Sequence, residues 1–178
     1  PDLQLPFRRY QVAPVWRADK PDPGRFREFI QFDLDAVGVS SLAADAEVLC
    51  AMYDTLKALG IERFKIKFSD RKVLNSLLDF AGVSRDASHG VFRILDKLDK
   101  IGLDGVKKEL KERKFTQKQI DRLLEVIELK GSNEEMLRGL EKEMKSPMGR
   151  EGLADIKKML EYLNVSGVVV QIDIALAR

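Results

Sequence analysis

Apolar and polar residues alternate along the first part of the chain. Even positions carry Tyr10, Val12, Pro14, Trp16 and Ala18, while Arg9, Gln11, Arg17 and Asp19 occupy odd ones. After the break Lys20-Pro21-Asp22-Pro23-Gly24, the even positions are Phe26, Ile30, Phe32 and Leu34. The odd positions are Arg25, Arg27, Phe29, Gln31, Asp33 and Asp35. A period of two on both sides of a Pro/Gly cluster predicts an antiparallel strand pair with one face buried. The other face then gathers Arg17, Asp19, Phe29, Gln31, Asp33 and Asp35.

The period lengthens after Gly38. Ser40 and Ser41 offer N-cap chemistry for an amphipathic helix over 42–59, with Gly60 as its stop. Residues 63–68 alternate again, as a half-exposed strand does, and Asp70 is placed to cap a helix over 71–80 that ends at Gly82. From 84 to 147 the patterns are helical throughout, at 88–98, 103–113, 116–129 and 133–144, with Thr116 as a cap and Gly131 as a stop. Ser146-Pro147 and Gly149 interrupt the pattern, a further helix covers 151–163, and Val168 to Ala177 reads as a buried strand. Strands at both ends with helices between predict an α+β fold. Residues 1–83 and 148–178 form its core, and 84–147 an inserted all-helical subdomain.

The 178 residues suit a core plus an appendage, and the net charge of +2 announces no polyanionic partner by itself. No apolar run of 18 residues is present, which excludes a transmembrane helix, and no membrane partner is expected. One cysteine, Cys50, excludes a disulfide framework and a cysteine zinc site. One histidine, His89, argues against a His-pair metal site or a Ser-His-Asp triad. Cys50 reads as a buried small hydrophobe and His89 as a surface or helix-start residue. No metal site is expected in this chain. The start at Pro1, with no initiator Met, reads as an excised piece of something larger.

The polar hairpin face admits two readings. It can be a solvated sheet surface laced with cross-strand ion pairs. It can also hold a nucleotide beside an amino acid. Arginine forks fit phosphate or carboxylate, Phe29 offers a ring to a base, and Asp33 and Asp35 suit an ammonium, an imidazole or a cation.

The exact string shifts the weight between them. Arg8 to Pro21, with Arg17-Ala18-Asp19-Lys20-Pro21, followed by Gly24-Arg25-Phe26-Arg27-Glu28-Phe29-Ile30-Gln31-Phe32-Asp33-Leu34-Asp35, closely resembles motif 2 of histidyl-tRNA synthetases. Lys65 to Leu74, Leu95 to Gly102 and Ile172 to Arg178 are similar to later parts of that class II family. The resemblance implies an antiparallel sheet of the class II type. It also implies histidine activation with ATP and Mg²⁺, transfer to tRNA(His), no tightly bound cofactor, a homodimeric parent and a cytoplasmic location. Carried over residue by residue, Arg17 holds the ATP α-phosphate and the histidine carboxylate, and Arg25 reaches the outer phosphates. Phe29 stacks on adenine, Gln31 lies near the backbone groups of histidine and Asp35 near its imidazole. Arg178 assists at the α-phosphate. Asp19 stands where the family usually has Glu, so its arm toward adenine is one carbon shorter. Motif 1 would precede the chain, and motif 3 with an anticodon-binding domain would follow it. The isolated segment is therefore expected to be inactive.

Charge is unevenly spread. Residues 97–118 carry a net +4, while 119–164 carry −2. Lys107, Lys108 and Lys111 lie in the basic stretch, which suits an RNA backbone or simply a solvated helix. With the resemblance, they are candidate tRNA contacts. Two rival readings stay open. One is a non-catalytic paralogue, such as the regulatory subunit of ATP phosphoribosyltransferase or a synthetase-like sensor. The other is an RNA-binding helical module carried on a sheet.

Overall fold

The computed structural model describes residues 3–163 and 169–176. β1 (Phe7–Trp16) and β2 (Glu28–Val37) form an antiparallel pair, in register from Phe7 opposite Val37 to Trp16 opposite Glu28. Their sheet has no third strand among the described residues. The even face carries the apolar residues, as the alternation predicts, but much of it is open. Tyr10 is 73% exposed, Trp16 69% and Ile30 67%. The expected burial fails because α1 (Leu42–Ala58) reaches the hairpin near Phe32 and Leu34, through Val48, Met52 and Leu56, and little else covers it. Arg8 fastens this junction by donating to both carboxylate oxygens of Glu47 at 2.6 and 2.8 Å. That contact holds the Glu47 carboxyl below its ordinary range.

Local signals set most helix ends. Ser41 caps α1 by accepting from the Ala43 N–H. Asp70 caps α2 (Arg71–Ala81) with one carboxylate oxygen bonded to the Lys72 and Val73 N–H groups. Gly82 ends α2 in the left-handed conformation, at φ 69°, where a side chain would be strained. A 3₁₀ turn leads into α3 (Ser88–Leu95), and α4 (Leu98–Glu112) is broken at Gly102, so its regular part starts where 103–113 predicts. Thr116 and Gln119 form a capping box at α5 (Gln117–Ile127), and Ser132 and Glu135 another at α6 (Asn133–Glu143).

The last helix departs from expectation. α7 spans Pro147–Tyr162, so Ser146-Pro147 is its start and not an interruption. Ser146 accepts from the Gly149 N–H at 3.0 Å, and proline at the first turn costs no hydrogen bond. The two glycines of α7 permit a close approach to α2. A Cβ on Gly149 would strike the Ser76 side chain, and one on Gly152 would lie 2.9 Å from Val73.

α2 packs on α7 and α5, and one continuous cluster of buried side chains runs from Val73 and Leu77 through Leu123 and Leu140 to Ile156. β3 (Ile66–Phe68) pairs in parallel with β4 (Val170–Ile172). β3 covers the last three residues of the alternation over 63–68, opposite the described partner Val170–Ile172. Asn133 extends the sheet sideways, donating to the Val170 carbonyl and accepting from the Ile172 N–H. The last strand, predicted over Val168 to Ala177, ends at Ile172: residues 173–176 turn away, with the Leu176 N–H donating to the Asp173 carbonyl at 3.3 Å, and Val168 and Ala177 lie outside the described residues. No helix among the described residues is long and apolar enough to cross a membrane.

Candidate active-site face

The register alone brings the nominated residues to one surface. Odd-numbered partners face each other, with Arg9 opposite Asp35, Gln11 opposite Asp33, Ala13 opposite Gln31 and Val15 opposite Phe29. Arg17 follows directly, and its N–H donates to the Arg27 carbonyl at 2.8 Å, which carries the pairing one step toward the turn.

Two polar rows cross this face. In the first, Arg17 Nη2 donates to Gln31 Oε1 at 2.8 Å, and Gln31 Nε2 donates to Asp33 Oδ1. The amide of Gln31 is thereby oriented, oxygen to the cation and nitrogen to the carboxylate. Arg17 also lies over the Phe29 ring, 5.0 Å from its centroid. In the second row Arg9 bridges Asp35 at 2.8 Å and donates to Gln11 Oε1 at 3.1 Å. Arg9 was not among the nominated site residues. The signal for it was its position opposite Asp35 across the turn.

The turn is closed on itself. Asp22 and Arg25 exchange backbone hydrogen bonds of 3.2 and 2.8 Å around Gly24, whose φ of 75° suits glycine. Two nitrogens of Arg25 converge on Asp19 Oδ2 at 2.9 and 3.0 Å, and Arg27 donates to the Asp19 carbonyl at 3.2 Å. Asp19 thus holds down the arginine expected to reach outer phosphates. Arg17, Asp19, Arg25, Phe29, Gln31 and Asp35 all lie on this hairpin and its turn. Arg178 lies outside the described residues.

Chemically the face offers four arginines against three aspartates, half open to solvent, with one aromatic ring on the strand. An anion fits at Arg17, and Asp35 presents a carboxylate already oriented by Arg9. Lys107, Lys108 and Lys111 lie elsewhere, on α4. Lys108 and Lys111 are exposed and Lys107 is half-buried. Among the described residues no group of three or more His, Cys, Asp or Glu is placed to hold a metal ion. Cys50 is half-buried on α1 and His89 is exposed at the start of α3.

Comparison with known proteins gives a consistent answer. The sequence model of one family, histidyl-tRNA synthetase, matches residues 3–178. A histidine–tRNA ligase of Cytophaga hutchinsonii is 40% identical over 182 residues, covering 99% of this chain and 40% of that protein. One from Clostridium tetani is 39% identical over 183 residues, covering 99% and 41%. The crystal structure of histidyl-tRNA synthetase from Nostoc sp. PCC 7120 superimposes with a TM-score of 0.88 at 28% identity, over 99% of this chain and 42% of that one. A Bacillus halodurans structure titled as an ATP phosphoribosyltransferase regulatory subunit/histidyl-tRNA synthetase shares the fold, with a TM-score of 0.79 at 23% identity over 97% and 44%. The chain spans about 40% of the length of the curated relatives it matches.

Proposed function

The chain belongs to the histidyl-tRNA synthetase family, and from that premise we propose that the protein carrying it activates histidine with ATP and loads it onto tRNA(His). The observation that carries the reading is the polar hairpin face. It collects Arg17, Phe29, Gln31 and Asp35 on one surface in connected rows.

In this proposal the histidine carboxylate oxygen attacks the α-phosphorus of ATP. A bond forms to that phosphorus, the bond to the bridging oxygen breaks, and pyrophosphate leaves with the electron pair. Histidyl-adenylate stays behind. A ribose hydroxyl at the tRNA 3′ end then attacks its carbonyl carbon, and AMP departs. No protein nucleophile is needed, so the chain's part is positioning and charge stabilisation. Arg17 offsets charge building on the α-phosphate and first holds the carboxylate. Gln31 Oε1 accepts from Arg17, and the substrate carboxylate takes over that contact. Arg17 moves off the Phe29 ring as it engages the α-phosphate, and the ring face so uncovered supports adenine. Asp35, steadied by Arg9, accepts from the imidazole. Arg25 must leave Asp19 to reach the outer phosphates, so the turn opens as ATP binds. Arg178 acts at the α-phosphate in the same scheme. Mg²⁺ enters on the triphosphate as part of the substrate.

Further parts of the proposal are a homodimeric protein in the cytoplasm and an inserted helical unit over 84–147. Lys107, Lys108 and Lys111 would contact the tRNA backbone. A non-catalytic paralogue would share the fold without needing Arg17, Arg25, Phe29, Gln31 and Asp35 together. The test is histidine-dependent ATP–pyrophosphate exchange by the full-length protein, with Asp35→Asn as the probe of amino-acid binding. We expect exchange with histidine, and a raised KM for histidine in Asp35→Asn. Absence of exchange in the full-length protein overturns the enzyme reading. The 178 residues alone are expected to give none.

A further inference from the structure

We propose that Lys67 and Asp173 are positioning residues for Arg178. Together they anchor the turn by which the chain leaves β4, two residues before that arginine. The inference rests on the reading above, in which Arg178 acts at the α-phosphate. Lys67 and Asp173 act through Arg178 and not on the reacting atoms.

The two-residue alternation of β3 and β4 sorts their side chains. Ile66, Val170, Ile172 and Ile174 face the core, each 6% exposed or less. Lys67 and Gln171, partners in the parallel register, face outward, and Asp173 follows Gln171 by two residues. On that outer side Lys67 Nζ meets Asp173 Oδ2 at 2.8 Å. The hydrogen bond raises the Lys67 ammonium above its ordinary range. Asp173 is the more enclosed partner, its side chain 22% exposed, so without Lys67 a poorly solvated carboxylate would stand alone at the turn.

Every polar group of Asp173 is engaged at this corner. Its N–H donates to the Phe68 carbonyl at 2.9 Å, and its carbonyl accepts from the Leu176 N–H at 3.3 Å. Oδ1 accepts from the Ala175 N–H at 2.9 Å, which by itself shapes a turn. The bond from Lys67 to Oδ2 adds what the turn does not require, a tie to β3. β3 leads directly into α2, which is packed on α7 and α5 in the core. The corner is thereby held against the firmest part of the molecule, as a catalytic group carried on a turn needs. A half-exposed ion pair contributes little to stability, so this one should matter for geometry. Asp99 is the other carboxylate near Lys67, but it lies 3.9 Å away on α4 with its side chain 89% exposed.

The experiment is histidine-dependent ATP–pyrophosphate exchange by the full-length protein, with kcat and the KM values for histidine and ATP determined separately. The variants are Lys67→Met, Lys67→Arg, Asp173→Asn, Arg178→Ala and the combination Lys67→Met/Arg178→Ala, with Asp99→Asn as the control. Lys67→Met and Asp173→Asn should each lower kcat about tenfold, within the 10²-fold that a misplacement of about 1 Å can cost. Both KM values and the melting temperature should stay nearly unchanged. Asp173→Asn keeps the Oδ1 acceptor for Ala175, so it reports the ion pair and not the turn, and it carries the test should Lys67→Met fail to fold. Lys67→Arg should restore most of the rate, and Asp99→Asn should leave it alone. In the combined variant Lys67→Met should add nothing to the loss from Arg178→Ala. A native kcat in folded Lys67→Met and Asp173→Asn, or a further tenfold loss in the combined variant, overturns the inference and leaves Arg178 in the chemistry. Exchange that survives Arg178→Ala removes that arginine from the α-phosphate, and exchange absent from the native protein removes the activation chemistry; either result takes the inference with it.

Discussion

Replacing Arg17 by alanine should nearly abolish adenylate formation while leaving the fold alone. Arg17 is exposed, and its partners are a 2.8 Å hydrogen bond to Gln31 and the Phe29 ring at 5.0 Å. Surface contacts of this kind contribute little to stability, so the melting temperature should move by no more than about 0.5 kcal/mol would produce. The catalytic loss is different in scale. Removing one preorganised donor from a developing oxyanion costs about 10²–10³ in rate, or ~2.7–4 kcal/mol. Arg17→Lys keeps the charge but loses the planar fork, and should fall between the native protein and the alanine variant. Asp33→Ala tests the positioning chain directly. Asp33 accepts from Gln31, whose other end holds Arg17. Freeing such a side chain costs about 0.5–1.5 kcal/mol, roughly a two- to tenfold loss of rate. The assay is histidine-dependent ATP–pyrophosphate exchange at saturating substrates in the full-length protein. An Arg17→Ala rate within threefold of native refutes the assignment of Arg17 to the α-phosphate.

Other consequences concern the core, acid stability and RNA. Leu123 is fully buried among the helices, so Leu123→Ala should cost about 2–5 kcal/mol, read by chemical denaturation. Glu47 and Glu135 both have carboxyls held below their ordinary value of 4.5, by the Arg8 guanidinium and by the Ser132 backbone N–H respectively. Their ionised forms are favoured in the folded chain, so their contribution is present above that value and lost as pH falls through the depressed one. Thermal stability should therefore drop on acidification below pH 4.5, less steeply in Glu47→Gln. Charge reversal at Lys107, Lys108 and Lys111 should weaken tRNA binding and make it less salt-dependent; unchanged binding removes these lysines from the RNA path.

Features set by neighbouring residues could be read directly from the sequence. The hairpin register follows from alternation and a Pro/Gly turn, and it alone brings Phe29, Gln31 and Asp35 to one face. Ser41, Asp70, Thr116 and Gly82 act within a turn of their own helices, where capping chemistry decides. Features set by distant packing were hidden. Ser146-Pro147 looks like a break, yet Ser146 caps α7, and its hydroxyl lies 2.8 Å from that of Ser76 on α2. Gly149 and Gly152 look like weak helix positions until α2 is laid against them. The even face of the hairpin reads as buried because alternation shows which face is apolar but not whether anything covers it. The proposed function was legible chiefly through the motif 2 string, because the residues assigned to adenylate chemistry lie together on one hairpin.

The most direct measurement is a crystal structure of the full-length protein with ATP and a non-reactive histidine analogue such as histidinol. The account predicts adenine on Phe29, the α-phosphate at Arg17, the imidazole at Asp35 and Arg25 released from Asp19 toward the outer phosphates. A nucleotide bound away from the hairpin face, or an imidazole that leaves Asp35 paired with Arg9 alone, would contradict it.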